Sequence, residues 1–375
     1  MYPSLHSSPS RAREILSSTI VNALSEKHEI IYGGLTNDSV ENISSKYNIE
    51  TVYDHFDLVR KSKLALFFYT IHFLFKNQVD VIYERATHLP IGLFLSIFLK
   101  KKYVTDAHLL SVNSTSQTKK YNYFYRLLDS LRFNFSSLIV ANFYSQSQAI
   151  KLVKGKTYNH LVNVGPYVDS IKFSPKSSIS SKAKLGIKED FICYVGSFDK
   201  DHKPEYILPA FKLISEQYSN IKLYMVGSGP NLKSIKMQTE ELGILNRVKF
   251  TGRVDNSLVP FYINGSIFCI NPTITQRNKI VGMIGDKSLE YASCGKVQIV
   301  PSLKGIPVEL VKVNAAIAVG DTSLPENIAK AAMFLIENEE LRERMNNNSR
   351  FKIEDGWNLF SFKTKLLDSV SALDE

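Results

Sequence analysis

Short β-rich runs alternate with amphipathic helical stretches along most of this chain, and that alternation restricts the folds open to it. Strand, helix and strand in succession build a parallel sheet, because parallel neighbours can be joined only by a crossover long enough to hold a helix. In the first half the strand runs are Glu29–Tyr32, Val79–Tyr83, Lys102–Thr105, Leu138–Ala141 and Leu161–Val164. Helical stretches at Arg11–Leu24, Lys63–Phe75 and Tyr123–Leu131 lie between them. In the second half the strands are Phe191–Val195, Ile221–Val226, Val248–Phe250, Ile267–Ile270, Val297–Val300 and Ala315–Val319. Helices follow them, for instance Glu205–Tyr218 and Leu232–Leu242.

At 375 residues the chain is too long for one compact core, and two domains are expected. The join falls in residues 163–182, a stretch rich in Ser, Pro and Lys that lacks a period. The pattern reads as an α/β protein of two Rossmann-like, doubly wound domains facing each other across a cleft. In such sheets ligands sit beyond the carboxyl ends of the strands. A doubly wound domain should open on a strand, yet this chain opens on a Pro- and Ser-rich loop that leads into a helix. The expectation is a first domain whose first strand is missing from a truncated start.

Composition excludes more than it selects. Hydrophobic residues make up 44% and charged residues 22%, which is ordinary for a globular protein. The net charge of +10 is uneven: residues 1–172 hold 20 Lys/Arg against 13 Asp/Glu. A basic half attracts nucleic acid, anionic membrane or phosphorylated ligands. No long basic run with interleaved aromatics and no zinc pattern occurs, so no nucleic acid is expected as a partner. Cys193, Cys269 and Cys294 lack metal or redox spacing and read as buried thiols. No signal peptide is visible, and the apolar runs Leu64–Phe75 and Leu89–Leu99 are shorter than the ~20 residues of a membrane span. A cytoplasmic protein is expected. Lys100, Lys101 and Lys102 directly follow the second run, which leaves open a peripheral contact at the inner face of an anionic membrane.

Four stretches of the second half carry chemistry. In Tyr194–Phe211 a strand, a glycine turn at Gly196-Ser197, a polar loop and Lys203 lead into a helix, where backbone and ammonium can meet a phosphate. A solvated loop lysine is the plain alternative. Met225–Asn231 holds a GxG turn at Gly227 and Gly229; the third glycine of the dinucleotide fingerprint is lacking, which argues against a dehydrogenase. Val248–Asp255 ends a strand beside Arg253 and Val254, a phosphate ligand or a surface residue with equal weight. In Gly282–Lys296, Asp286 is read as an N-cap, with Lys287 and Ser288 presenting free backbone N–H groups at the helix start. A lysine there opposes the helix dipole by ~0.3–1 kcal/mol unless an anion is near. Glu290 has two carboxylate oxygens that can accept both hydroxyls of a ribose, or it merely favours the dipole.

Taken in order, the strand-Gly-loop-Lys-Pro segment, Val226-Gly-Ser-Gly-Pro230, Phe250-Thr-Gly-Arg-Val254, Asn271-Pro272 and Lys287-x-x-Glu290-Tyr291-x-x-x-Gly295-Lys296 resemble the family-four retaining glycosyltransferases. Further matching segments are Asp80–Arg85, Val104–His108, Val164–Phe173, Glu340–Met345 and the Trp357 region. The resemblance implies the GT-B architecture. It divides the chain into an acceptor-side domain at 1–170, a nucleotide-sugar domain at 171–356, and a helix at 357–375 that crosses back to the first domain.

The implied reaction moves a sugar, with retention, from a nucleoside-diphosphate sugar to a glycan or lipid-linked acceptor, in surface polysaccharide or glycolipid synthesis. By resemblance Lys203 neutralises the donor diphosphate, Glu290 holds the ribose and His108 stands near the reacting sugar. Gly196, Ser197, Gly227, Gly229, Arg253, Val254, Asp286, Lys287, Ser288 and Leu289 complete the donor-binding set. Two positions depart from the family's pattern: Gly282 stands where a first glutamate contacts the transferred sugar, and Ser197 where an arginine meets the diphosphate. A non-catalytic relative and a sugar-nucleotide epimerase of similar architecture are the alternatives. Asp199-Lys-Asp201 has the form of a metal-binding D-x-D, but it lies in the loop that carries Lys203. No obligatory metal and no cofactor beyond the nucleotide-sugar is expected.

Overall fold

The computed structural model describes residues 19–20, 22–28, 79–84, 90–106, 119–142, 147, 150–151, 155–274 and 285–373, with 119–126 given only as part of a helix. Contacts divide the chain into two units, Met1–Gly165 with Phe360–Glu375, and Pro166–Leu359.

In the first unit the described strands are β1 (Val81–Glu84), β2 (Lys102–Asp106), β3 (Leu138–Ala141) and β4 (Leu161–Asn163). They form one sheet in the order β1-β2-β3-β4, with every pair parallel. Parallel pairing requires crossovers, and helices α1 (Ile91–Leu99) and α2 (Lys119–Phe135) supply the first two. Glu84 ties a crossover to its strand. One of its oxygens accepts the Gly92 amide at 3.0 Å, near the start of α1, and the other accepts the Tyr103 hydroxyl. A Cβ on Gly92 would lie 3.1 Å from that of Glu84, so the glycine leaves room for the carboxylate. Residues 22–28 are tied to the last stretch of the chain by Lys27–Asp368 (3.9 Å), Glu26–Lys363 (3.8 Å) and His28–Ser371 (3.1 Å). The expected strand at 29–32, the helix at 63–75 and the polar opening of the chain lie outside the described residues.

The second unit holds β5 (Asp190–Val195), β6 (Ile221–Val226), β7 (Val248–Gly252), β8 (Cys269–Ile270), β9 (Gln298–Pro301) and β10 (Ala316–Val319). They form a six-stranded parallel sheet in the order β10-β9-β8-β5-β6-β7. The chain starts in the middle, runs outward through β6 and β7, then returns to the other side of β5 and runs outward again. Helices α3 (Ser178–Leu185), α4 (Ile207–Gln217), α5 (Leu232–Glu241), α6 (Val259–Gly265), α7 (Lys287–Ser293), α8 (Ile306–Lys312), α9 (Pro325–Glu337) and α10 (Glu339–Glu354) accompany the strands.

The strand interiors are apolar because both faces are covered. Ile192, Leu223, Met225, Phe268 and Ile299 pack with Phe211, Ile214 and Leu335 of the covering helices in one core. Each such side chain contributes about 1.5–3 kcal/mol by burial. Cys193 pairs with Cys269 across β5 and β8, and all three cysteines are free and buried. The chain enters and leaves this unit side by side, Val168 bridging Asn358, before α11 (Leu359–Ser371) closes the described chain.

The α/β reading with two parallel-sheet domains holds. Local boundaries move for local reasons. The helix expected from Glu205 opens one residue earlier as a tight 3-10 turn, Pro204–Tyr206, with Pro204 at the first position, where its missing N–H costs nothing.

Candidate functional site

The strand order of the second sheet reverses between β5 and β8. From there the connections leave in opposite directions, and it is at the carboxyl ends of two such strands that open α/β sheets take up ligands. The residues singled out in the second half follow this carboxyl edge. Gly196 and Ser197 come after β5, Gly227 and Gly229 after β6, Arg253 and Val254 after β7, and Asp286 at the cap and Lys287 to Glu290 in the first turn of α7, which follows β8.

Glycines let two of these loops touch. Gly196 donates to the Val226 carbonyl (2.9 Å), Phe198 to that of Ser228 (3.0 Å), and Asn231 to that of Phe198 (2.9 Å). A Cβ on Gly227 would lie 1.9 Å from the Gly196 carbonyl oxygen, and one on Gly229 2.4 Å from that of Phe198. Gly227 also sits at φ +136°, where L side chains are strained. These glycines therefore carry contact between backbones. Gly196 is itself confined: a Cβ there would meet the Tyr194 hydroxyl at 2.8 Å and the Lys287 ammonium at 2.9 Å.

The loop that follows is closed from inside by Asp199. One of its oxygens accepts the amides of Asp201 (2.9 Å) and His202 (3.0 Å) and faces His202 Nδ1 at 2.8 Å. Burial disfavours the Asp199 charge, but hydrogen bonds from Ser197 and His202, with the His202 charge, outweigh it and hold the carboxyl down at about 2. The first carboxylate of the D-x-D triplet is thus engaged in the turn. Among the described residues no group of three or more His, Cys, Asp or Glu side chains could hold a metal ion. Lys203, at the loop's exit, has a left-handed backbone, φ 54° and ψ 39°, an uncommon state for a residue with a side chain. Its ammonium is partly exposed and only loosely held, 3.9 Å from Glu205 and 5.6 Å from the centre of the Tyr206 ring.

Helix α7 corrects two expectations. Asp286 occupies the N-cap position but makes no side-chain cap bond. The amides of the first turn are not all free either. Ser288 reaches back to Gly285 (3.4 Å), and both Leu289 (2.9 Å) and Glu290 (3.0 Å) bond to the Asp286 carbonyl. Two of these bonds, from Ser288 and Leu289, run three residues back, so the amides of Ser288, Leu289 and Glu290 are already engaged within the chain. Ser288 is fully buried, its hydroxyl accepting from Asn271 (2.8 Å) and its carbonyl from Gln298 (2.8 Å); Leu289 is core.

The Lys287 side chain is buried as well. Its ammonium donates to the Tyr194 hydroxyl and the Thr273 hydroxyl, each at 3.3 Å, and lies 4.7 Å from the centre of the Tyr194 ring. Burial lowers this lysine to about 7, against the opposing pull of Asp199, Glu290 and Asp286. Burial and the Asp286 charge raise the half-buried Glu290 carboxyl to about 7, while Lys172 and Lys287 hold it back. Thr273 in turn donates to the His202 carbonyl at 3.3 Å. The start of α7 and the loop leading to Lys203 are therefore joined through two hydroxyl contacts.

Arg253 is exposed and Val254 half-buried, both beyond the end of β7. His108 and Gly282 lie outside the described residues. Tyr194, Thr273 and the Asn271 amide were not singled out from sequence. Of these only the Asn271-Pro272 pair left a signal, as one motif in the ordered set.

Comparison with known proteins agrees with this geometry. Residues 176–352 match the family described as Glycosyl transferases group 1. An uncharacterized glycosyltransferase of Methanocaldococcus jannaschii is 26% identical over 299 residues, 76% of this chain and 73% of that protein. N-acetyl-alpha-D-glucosaminyl L-malate synthase of Bacillus anthracis is 25% identical over 189 residues; the match spans 49% of this chain and less than half, 46%, of that protein. Among solved structures, Anabaena HepE in complex with UDP superposes with a TM-score of 0.79 at 15% identity, covering 99% of each chain. The same protein, in complex with UDP-glucose, gives 0.76 at 16% identity, again over 99% of each. The fold is GT-B, as the ordered motifs implied.

The glycine contact yields a direct expectation. Gly227→Ala must part the two loops, and should cost at least about 2 kcal/mol in urea unfolding. A loss below about 0.5 kcal/mol would show that the loops are not held by this contact.

Proposed function

We propose that this protein transfers a sugar from a uridine-diphosphate sugar to a glycan or lipid-linked acceptor, with retention, in the synthesis of a surface polysaccharide or glycolipid. The observation that carries the reading is the loosely held ammonium of Lys203, standing on a strained backbone beside the switch point of a group 1 glycosyltransferase domain. The donor class is supported by the complexes of HepE with UDP and UDP-glucose.

In this reading Lys203 meets the diphosphate and Glu290 accepts the ribose hydroxyls. The bond from the sugar's anomeric carbon to the phosphate oxygen breaks while a bond to the acceptor oxygen forms on the same face. The acceptor's proton passes to a phosphate oxygen of the leaving group, so no protein nucleophile is assigned. Positive charge from the side chain takes the place of a cation, and no metal is given a role. His108 is assigned to the sugar's side of the site.

A peripheral membrane contact belongs to the same reading. Phe94, Ile97 and Phe98 are exposed at one-turn spacing on α1, and Lys100 and Lys102, exposed just beyond it, would face anionic headgroups. Among the described residues no helix is long and apolar enough to cross a membrane.

The transfer is tested by incubating the protein with a panel of nucleotide-sugars and lipid-linked or glycan acceptors. Free UDP should appear together with a product that keeps the donor's anomeric configuration. Lys203→Ala and Glu290→Ala should each weaken UDP-glucose binding by about ten- to a hundredfold with unchanged folding, the loss expected for one charged hydrogen bond. An inverted product sinks retention, and an epimerised sugar released without acceptor favours the epimerase.

For the membrane contact, sedimentation with phosphatidylglycerol vesicles should bring the protein down at low salt. Phosphatidylcholine vesicles should not. The double variant Lys100→Glu/Lys102→Glu should stay in solution, and equal sedimentation of variant and wild type would remove the contact.

A further inference from the structure

Lys287 stands in a place that costs stability twice. Only 7% of its surface is exposed, and its charge opens a helix whose dipole disfavours it. What it does there can be read from its partners. The ammonium donates to two hydroxyls, those of Tyr194 and Thr273. A hydroxyl that accepts a hydrogen bond still has its own proton to place. Tyr194 places it on the Ser197 carbonyl (2.9 Å) and Thr273 on the His202 carbonyl (3.3 Å). One buried cation thus sets the direction of two hydroxyls, and these grip the first and last residues of the 197–202 loop. Lys203 follows at once, in its left-handed conformation. Gly196 keeps the channel for the ammonium open, since any side chain there would meet both Tyr194 and Lys287.

We propose that Lys287 is a positioning residue for donor binding, holding the 197–203 loop, and through it the Lys203 ammonium, in the arrangement that meets a diphosphate without touching the diphosphate itself. This rests on the reading that a nucleotide-sugar binds here. It differs from the direct donor contact that the motif implied for Lys287.

The groups that face Lys287 are Tyr194 from β5, Asp199 from the loop, Asp286 at the cap of its own helix and Glu290 within it, with the neutral Thr273 opposite. Burial brings this ammonium to about 7, so it is charged below neutrality and becomes an amine above it. The amine has a lone pair that can accept from either hydroxyl, and the grip on the loop is no longer dictated. Donor affinity should therefore fall as pH rises through neutrality.

The test is calorimetric titration of the full chain with UDP-glucose between about pH 6 and pH 9, a range in which the doubly esterified diphosphate of that ligand does not titrate. Wild type should bind about tenfold more weakly at the alkaline end. Lys287→Met should bind about tenfold more weakly than wild type at pH 6 and should lose the fall in affinity at higher pH, because the titration left in that window, that of Glu290, yields the carboxylate that accepts the ribose hydroxyls. Tyr194→Phe and Thr273→Val should each lose part of the affinity while the pH dependence remains, and they decide the matter if Lys287→Met fails to fold.

A Lys287→Met protein with wild-type affinity, or with the wild-type slope, overturns the proposal. So does a slope that survives in Lys287→Met and vanishes in Glu290→Gln, because the titration would then belong to the carboxylate. If wild type binds UDP-glucose and Lys287→Met binds it equally, this inference alone fails. If wild type binds no nucleotide-sugar, the functional reading fails with it.

Discussion

The reversal of strand order between β5 and β8 is the constraint on which the second unit depends. In a parallel sheet every loop after a strand opens at the same edge, and crossover helices cover both faces. A ligand can approach the backbone where consecutive connections turn away from each other. Here that place lies beside Gly196, after β5, and Asn271 to Thr273, after β8. Everything the site uses hangs on these ends. The side chains of α7 come back to them, the loop to Lys203 begins at one and is touched by the other, and the glycine turn after β6 is bonded to the first.

Support for the site is arranged in layers. The innermost is backbone on backbone, where glycines let the loops after β5 and β6 bond directly and give the edge a rigid lip. Next come the hydroxyls of Tyr194 and Thr273 and the carboxylate of Asp199, each spent on loop carbonyls or amides. Groups already committed in this way have little freedom left to lose when a ligand arrives, which is how preorganisation adds to affinity. Lys203 is the outermost layer. Its strained backbone costs of order 1–3 kcal/mol, and such residues persist only where their surroundings fix them.

Much of this was legible in the sequence, because apolar runs bounded by Gly and Pro mark buried parallel strands well. Ile221–Val226 and Leu138–Ala141 fall on the residues read as strands, and the GxG turn at Gly227 and Gly229 lies where its spacing placed it. Geometry at single-residue scale was not legible. Asp286 has the right type and place for a cap, yet nothing in its neighbours says that the turn will wind three residues back and consume the amide of Ser288. Tyr194 and Thr273 were hidden for another reason. Each lies in an apolar setting where a hydroxyl looks incidental, and the lysine that gives it meaning is 93 or 14 residues away.

Lys287 and Glu290, one turn apart on α7, show where the fold yields stability to the site. Glu290 is raised from 4.5 to about 7, so the folded chain holds the extra proton between those values and stability falls as pH rises through that window. Lys287 is lowered from 10.5 to about 7, so the unfolded chain holds the extra proton above 7 and stability rises from there toward 10.5. The two slopes meet near neutrality, where together the pair weighs most against folding. A core evolved for stability alone would fill both positions with apolar side chains, which often match or exceed buried ions in stability. That a lysine and a glutamate stand there instead, with Tyr194, Thr273 and Gly196 arranged around the lysine, makes sense if their charges serve a ligand at the adjoining edge.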